Sequence, residues 1–302
     1  MQSFIGLTGR NVKVYFKDIQ SVIFSLLTSI IVFALYLLFL KGTFVDAIEG
    51  TMRGLENLIA KEDTDMFVNT ILLIGILGSA VITIPYNCLM TIVRDRERKV
   101  DYDILSTPVR RWQIILSYLA AAVISSFIMT ASLLTVGLII LSIMGNMHIT
   151  ALNIAASYGI IFLGCLSSSA LFMTVVQFFK TSSSASAFFG ILSAAAGFVI
   201  GAYIPVSQFS PGIQTVCNIF PASGICALLK NALLSGLTDS MNGSIGGVDK
   251  GLFIDEVRRV MTFNVMIFEH KFSVPWMCIY ILAVTLVSLT AMILLYRKAY
   301  KK

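Results

Sequence analysis

Apolar residues in this chain fall into long unbroken blocks separated by short charged connections. The blocks lie near residues 19–40, 66–92, 113–145, 151–179, 184–204 and 274–296. Each reaches the roughly 20 residues that a helix needs to cross about 30 Å of hydrocarbon. The pattern therefore predicts an all-α integral membrane protein with six transmembrane helices. The third block exceeds a single crossing, which predicts tilt or extension past the bilayer, and Pro85 predicts a kink in the second. After the fifth block, residues 205–236 are too apolar for an open loop, yet Pro205, Pro211 and Pro221 break them repeatedly. A re-entrant hairpin fits both facts. The connection 237–273 carries five acidic and four basic residues and reads as an extracellular loop with an amphipathic helix around 251–268.

Composition supports the bilayer as the main solvent. Of 302 residues, 57% are hydrophobic and 13% charged, against roughly 25% charged in soluble domains; the mean hydropathy is +0.88. Arg10, Lys13, Lys17 and Asp18 interrupt the first 18 residues, so no cleavable signal peptide is expected. With the N-terminus placed inside, the inner connections hold fourteen basic residues and the outer ones eight, while acidic residues divide five inside and eleven outside. Basic residues favour the cytoplasmic side, which puts both termini in the cytoplasm. The +6 net charge sits at membrane flanks, where anionic lipid attracts it; no segment forms a soluble face for nucleic acid.

Candidate chemistry is sparse. No predicted span carries Asp, Glu, Lys, Arg or His in its central part, whereas ion-coupled carriers usually bind their ions there. The histidines, His148 and His270, fall in outer connections, His148 as a solvated or interfacial residue, and neither a zinc-protease nor a serine-hydrolase pattern is present. Phosphate-cradling GxxxxGK[ST] is also missing, so this chain is expected to bind no cofactor, and ATP with Mg would sit on a partner. The five cysteines read as small apolar packing residues, with a disulfide left open only for Cys217 and Cys226.

The most informative segment is Arg94 to Trp112, RDRERKVDYDILSTPVRRW. Opposite charges from Asp95 to Asp103 recur at helical spacings, and Ile104 with Leu105 adds a short apolar ridge suited to docking. Thr107 before Pro108 predicts a cap on a new helix with Pro at its first position. The segment resembles the first intracellular loop of type-2 ATP-binding-cassette (ABC) exporter permeases, approximately ERERGTLEQLLVTPVSRW. Arg96, Glu97, Arg98, Leu105, Thr107, Pro108, Val109, Arg111 and Trp112 match in register, while Lys99 replaces the usual Gly and Asp101 and Tyr102 replace a Leu-Glu pair.

The resemblance implies a coupling helix that enters a groove on the ATPase, carried here by Asp95, Arg96, Glu97, Arg98, Asp101, Ile104, Leu105, Thr107 and Pro108. Residues 1–18 look like the family's amphipathic connecting helix, with an ordinary basic flank as the alternative, and the whole chain reads as one permease domain. Two ATPase subunits and a second permease are the implied partners, in a bacterial plasma membrane.

Ser193, Gly197 and Gly201 repeat every four residues on the fifth span. They read either as a smooth face for the second permease or as packing within the chain. Phe188, Phe189 and Phe198 form a candidate substrate path, without fixed charge, for a hydrophobic or amphipathic cargo such as a drug, antimicrobial peptide or lipid. The expected function is the membrane half of an ATP-driven exporter. A self-standing channel or carrier, or a multipass membrane enzyme, is the alternative.

Overall fold

A computed structural model describes residues 2–52, 59–146, 148–245, 251–268 and 270–299, almost all of them helical. Helices α1 (Gln2–Lys17) and α2 (Ile19–Leu35) meet at 72°. The corner is Asp18, whose carboxylate accepts from the Ser21 N–H at 3.2 Å and its hydroxyl at 2.7 Å, capping α2. Through a π-helical turn at Tyr36–Leu40, α2 continues into α3 (Lys41–Met52).

The axis of the bundle is α4 (Lys61–Glu97), of whose most apolar 18-residue stretch 89% is buried. It remains helical through Pro85 and packs against α2, α6 (Arg111–Met144), α7 (Ala151–Val176), α8 (Ser182–Val199) and α10 (Pro221–Leu233). In α6 and in α13 (Val274–Ala299) only 17% of the corresponding stretch is buried, leaving Ile139, Ile140, Leu286 and Val287 exposed. Such surface is ruinous in water and neutral in hydrocarbon. Among the described residues five helices are long and apolar enough to cross a membrane, and up to seven spans result if α1–α2 and the pair α9 (Pro211–Ile219) with α10 each count as one.

Helices α9 (Pro211–Ile219) and α10 begin with proline at the first turn and meet at 90° across Phe220. The Phe220 ring lies 6.0 Å from Phe172 of α7, which in turn is 5.5 Å from Tyr86 of α4. Two glycines let α10 approach: a Cβ on Gly78 would fall 2.3 Å from Cys226 Sγ, and one on Gly164 3.2 Å from Ile225. Cys217 and Cys226 are both free and buried.

Beyond α10 come α11 (Ser235–Ile245), α12 (Leu252–Val260) and a two-stranded hairpin, β1 (Met266–Ile267) with β2 (His270–Lys271). The amphipathic helix predicted over 251–268 is therefore only its first half. Distant side chains receive the end of α12: Ser207 donates to Val260 O at 2.5 Å, Lys230 to Met261 O at 2.7 Å, and Asn231 to Phe263 O at 2.7 Å. Lys230, counted in the sequence as a loop charge, is buried.

Hydroxyls join α2 to its neighbours. Ser29 meets Ser79 at 3.2 Å, Thr83 donates to Ser25 O at 3.1 Å, Tyr15 meets Ser25 at 2.8 Å, and Thr28 meets Ser193 of α8 at 2.5 Å.

Candidate functional site at the basic end

The last turn of α4 is where charge enters the bundle. Arg94 pairs with Asp18 and donates to Ser21 Oγ at 3.0 Å. Asp95 receives Arg10 through both guanidinium nitrogens, at 2.5 and 3.0 Å, and the Tyr118 hydroxyl at 2.5 Å. Arg96 donates to Gln177 O at the end of α7, at 3.3 Å, and Glu97 accepts the Ser182 N–H that opens α8, at 3.1 Å. Four consecutive side chains thus hold α1, the α1–α2 corner, α6, α7 and α8.

Asp95 is buried, 7% exposed, with Arg10 forming a charge-assisted bidentate pair. Expected from the sequence to couple to the ATPase, it here fastens α1 from inside. Arg96 and Glu97 likewise belong to α4 and not to a separate coupling helix.

The break comes at Lys99, which sits in the left-handed region at φ 61°, ψ 14°. This is the position where the resembling loop carries glycine, so the backbone keeps a glycine conformation under a lysine side chain. Helix α5 (Val100–Leu105) follows. Its Ile104 is buried and Leu105 half-buried, and they line a crevice with Ile114, Tyr118 and Tyr296. The apolar ridge that sequence offered for docking thus anchors α5 to the bundle. The outward surface is instead Arg98, Tyr102, Asp103, Ser106, Thr107 and Pro108, with Asp101 at its edge. Tyr102, 67% exposed, was hidden in the sequence because it stands where the resembling loop has Glu.

Thr107 does not cap a helix with Pro108 at its first position. Its hydroxyl donates back to Ile104 O at 2.5 Å, and α6 starts three residues after Pro108, at Arg111. Gln113 accepts the Arg110 N–H at 3.3 Å, closing that end. Among the described residues no three of His, Cys, Asp and Glu converge.

The other predicted sites change more. Ser193 is bonded to Thr28, a Cβ on Gly197 would collide with the Tyr203 ring at 2.3 Å, and Gly201 lies past the end of α8 at φ +71°. There Ala202 N–H donates to Gly197 O at 2.8 Å and Gly201 N–H to Phe198 O at 3.2 Å, a Schellman termination that needs glycine at its left-handed residue. These residues are explained by packing within the chain, and the open side of α8 is Ala187, Gly190, Ile191 and Ala194. Phe188 and Phe189 are half-buried and pack on Tyr86, each 5.7 Å away; of the three phenylalanines Phe198 alone is exposed, edge-on to Tyr203 at 5.0 Å.

Compared with known proteins, residues 17–297 match the family described as ABC-2 family transporter protein. The chain belongs to the ABC-2 transporter family. No curated protein matches it. As an ABC-2 membrane protein it is a multi-pass transport subunit that associates with an ABC ATPase. The family match runs from the end of α1 into α13, so it contains the whole basic-end site except Arg10.

Proposed function

We propose that this chain is the export permease of an ABC complex, and that the outward face of α5 with residues 106–112 is its ATPase-docking element. The supporting observation is the union of an exposed Tyr102–Asp103 face with a root turn, residues 94–97, bonded to so many helix ends. A force on α5 passes directly into α4 and from there to α1, α7 and α8. Ion pairs and hydrogen bonds at this root are directional, so they transmit displacement where apolar contacts would slide.

In this reading the basic end faces the cytoplasm, six spans cross the bilayer, and α9–α10 is a re-entrant hairpin whose tip reaches the level of Phe172. Two ATPase subunits hold ATP and Mg. A second permease packs on the open face of α8, where Gly190 and Ala194 allow close approach beside the exposed face of α2. Cargo is hydrophobic or amphipathic and passes near Phe198.

Nucleotide energy does work here only if the ATPase binds α5 differently in the two states of the cycle. The test replaces Tyr102 with Ala and Asp103 with Lys in the intact complex. Export and ATPase copurification are expected to fall together, by about tenfold or more, since truncating a central aromatic anchor commonly costs 2 kcal/mol or more. Undiminished copurification and export in the double variant would refute this docking face.

A further inference from the structure

Helix α1 carries a face that the basic-end site leaves unused. Arg10 points to Asp95, but Lys13 and Lys17 stand outward, exposed, and among the described residues neither is paired with a carboxylate. They are one helical turn apart, so their charges repel unless an anion lies between them. Beside them Gly6 and Gly9 leave a shallow groove of ≈ 480 Å³, and a Cβ on either glycine would meet nothing within 4 Å.

Apolar residues flank that groove. Ile5, 65% exposed, and Val14 line it, and the exposed Phe16 leads around the corner to Ile19, Ile23 and Phe24 on α2. The surface is thus continuous with the side of a helix in the membrane bundle. Since α1 turns 72° away from α2, it lies across the bundle direction and not along it. A helix in that attitude with cationic and apolar groups on one exposed side belongs at the headgroup boundary.

We infer that this groove is a binding site for an anionic phospholipid, its phosphate between Lys13 and Lys17 and one acyl chain along Ile5, Gly6, Gly9 and Val14. Lysine supplies point charges for the phosphate, the glycines supply room, and Ile5 and Val14 supply the apolar wall. Net-neutral phosphatidylcholine offers the same chain and a phosphate offset by choline, so the site discriminates by headgroup charge. The inference does not depend on ATPase docking, because it requires only that α1 meet the bilayer.

The experiment uses the full chain in detergent, exchanged with phosphatidylglycerol or phosphatidylcholine and read by native mass spectrometry. Wild type should retain phosphatidylglycerol on the order of tenfold better, from two lysines near the surface. Lys13→Gln with Lys17→Gln should abolish that preference. Gly9→Leu, which keeps every charge and improves helix propensity, should reduce retention of both lipids by filling the groove. A thermal midpoint within a few degrees of wild type confirms that each variant is folded. Equal retention of the two lipids by wild type, persistent preference in the lysine double variant, or full retention in Gly9→Leu would each overturn the site. Displacement of phosphatidylglycerol by millimolar inorganic phosphate would also overturn it, reducing it to an anion contact without a chain groove.

Discussion

Glu97 and Ser182 lie 85 residues apart and meet at 3.1 Å, the carboxylate accepting a backbone N–H at the start of α8. The bond complements both the orphan donors and the positive end of that helix. Glu97→Gln keeps an acceptor and should leave export near wild type, whereas Glu97→Lys should lower it severalfold with the permease still in the membrane. Export assays on both, normalised to protein in the membrane fraction, decide this; equal activity would remove Glu97 from the coupling route.

Asp95 is the more severe target. Its replacement by Ala strips a buried partner from Arg10 and Tyr118, and hydrogen bonds to charged groups contribute about 1.5–3 kcal/mol each. The thermal midpoint in detergent should drop by several degrees. Combining Asp95→Ala with Arg10→Ala should add little beyond the first change, which a double-mutant cycle measures.

Lys99→Gly should stabilise. A lysine held at φ 61° costs about 1–2 kcal/mol relative to glycine, partly returned by the lower entropy of a non-glycine unfolded chain. The expected net gain is about 0.5–1 kcal/mol, visible as a raised midpoint. A fall would mean that the Lys99 side chain makes a contribution larger than the strain.

Two glycines, one on α8 and one just past its end, should behave oppositely. Gly190 faces open space, so Gly190→Ala should be neutral or gain about 0.5–1 kcal/mol. Gly201→Ala forces a Cβ into a left-handed turn and to within 3.0 Å of Val206, and should lose about 1–2 kcal/mol. If Gly190→Ala instead abolished crosslinking of two permeases while leaving the fold intact, the open face of α8 would be identified as the dimer contact.

Lys230→Met tests the anchor that holds the end of α12. Removing the amine leaves Met261 O without its donor, so the end of α12 should fray and limited proteolysis around residues 251–265 should accelerate. The global midpoint should change less than the local protection, because the desolvation cost of the buried amine is removed together with its bond to Met261 O.

Much of this was legible in the sequence. Uninterrupted apolar blocks mark the spanning helices, since only a helix satisfies all of its backbone within a single segment crossing hydrocarbon. RDRERKVDYDILSTPVRRW gave the family resemblance and the place of the site. What the sequence concealed is direction. Asp95 and Glu97 look alike in a charge run, yet one is buried under α1 and the other caps α8. Likewise Gly197 and Gly201 satisfy a four-residue spacing, but the helix ends between them and the spacing loses its meaning. Lys230 reads as a loop charge because its acceptor, Met261 O, is 31 residues away. Each miss is a tertiary partner that no local pattern encodes.

The hydroxyl seam along α2 has a mechanical consequence. Ser25 also donates to Ser21 O in its own helix at 2.6 Å, Thr83 to Ser79 O at 3.0 Å, and Ser79 to Ile76 O at 2.8 Å. Were α2 to lift from α4, Ser25, Ser79 and Thr83 would each fall back on a carbonyl they already touch, leaving those three donors satisfied in oil. The seam is a low-friction bearing, polar enough to hold a position at rest and undemanding enough to let the helix ride past its neighbour.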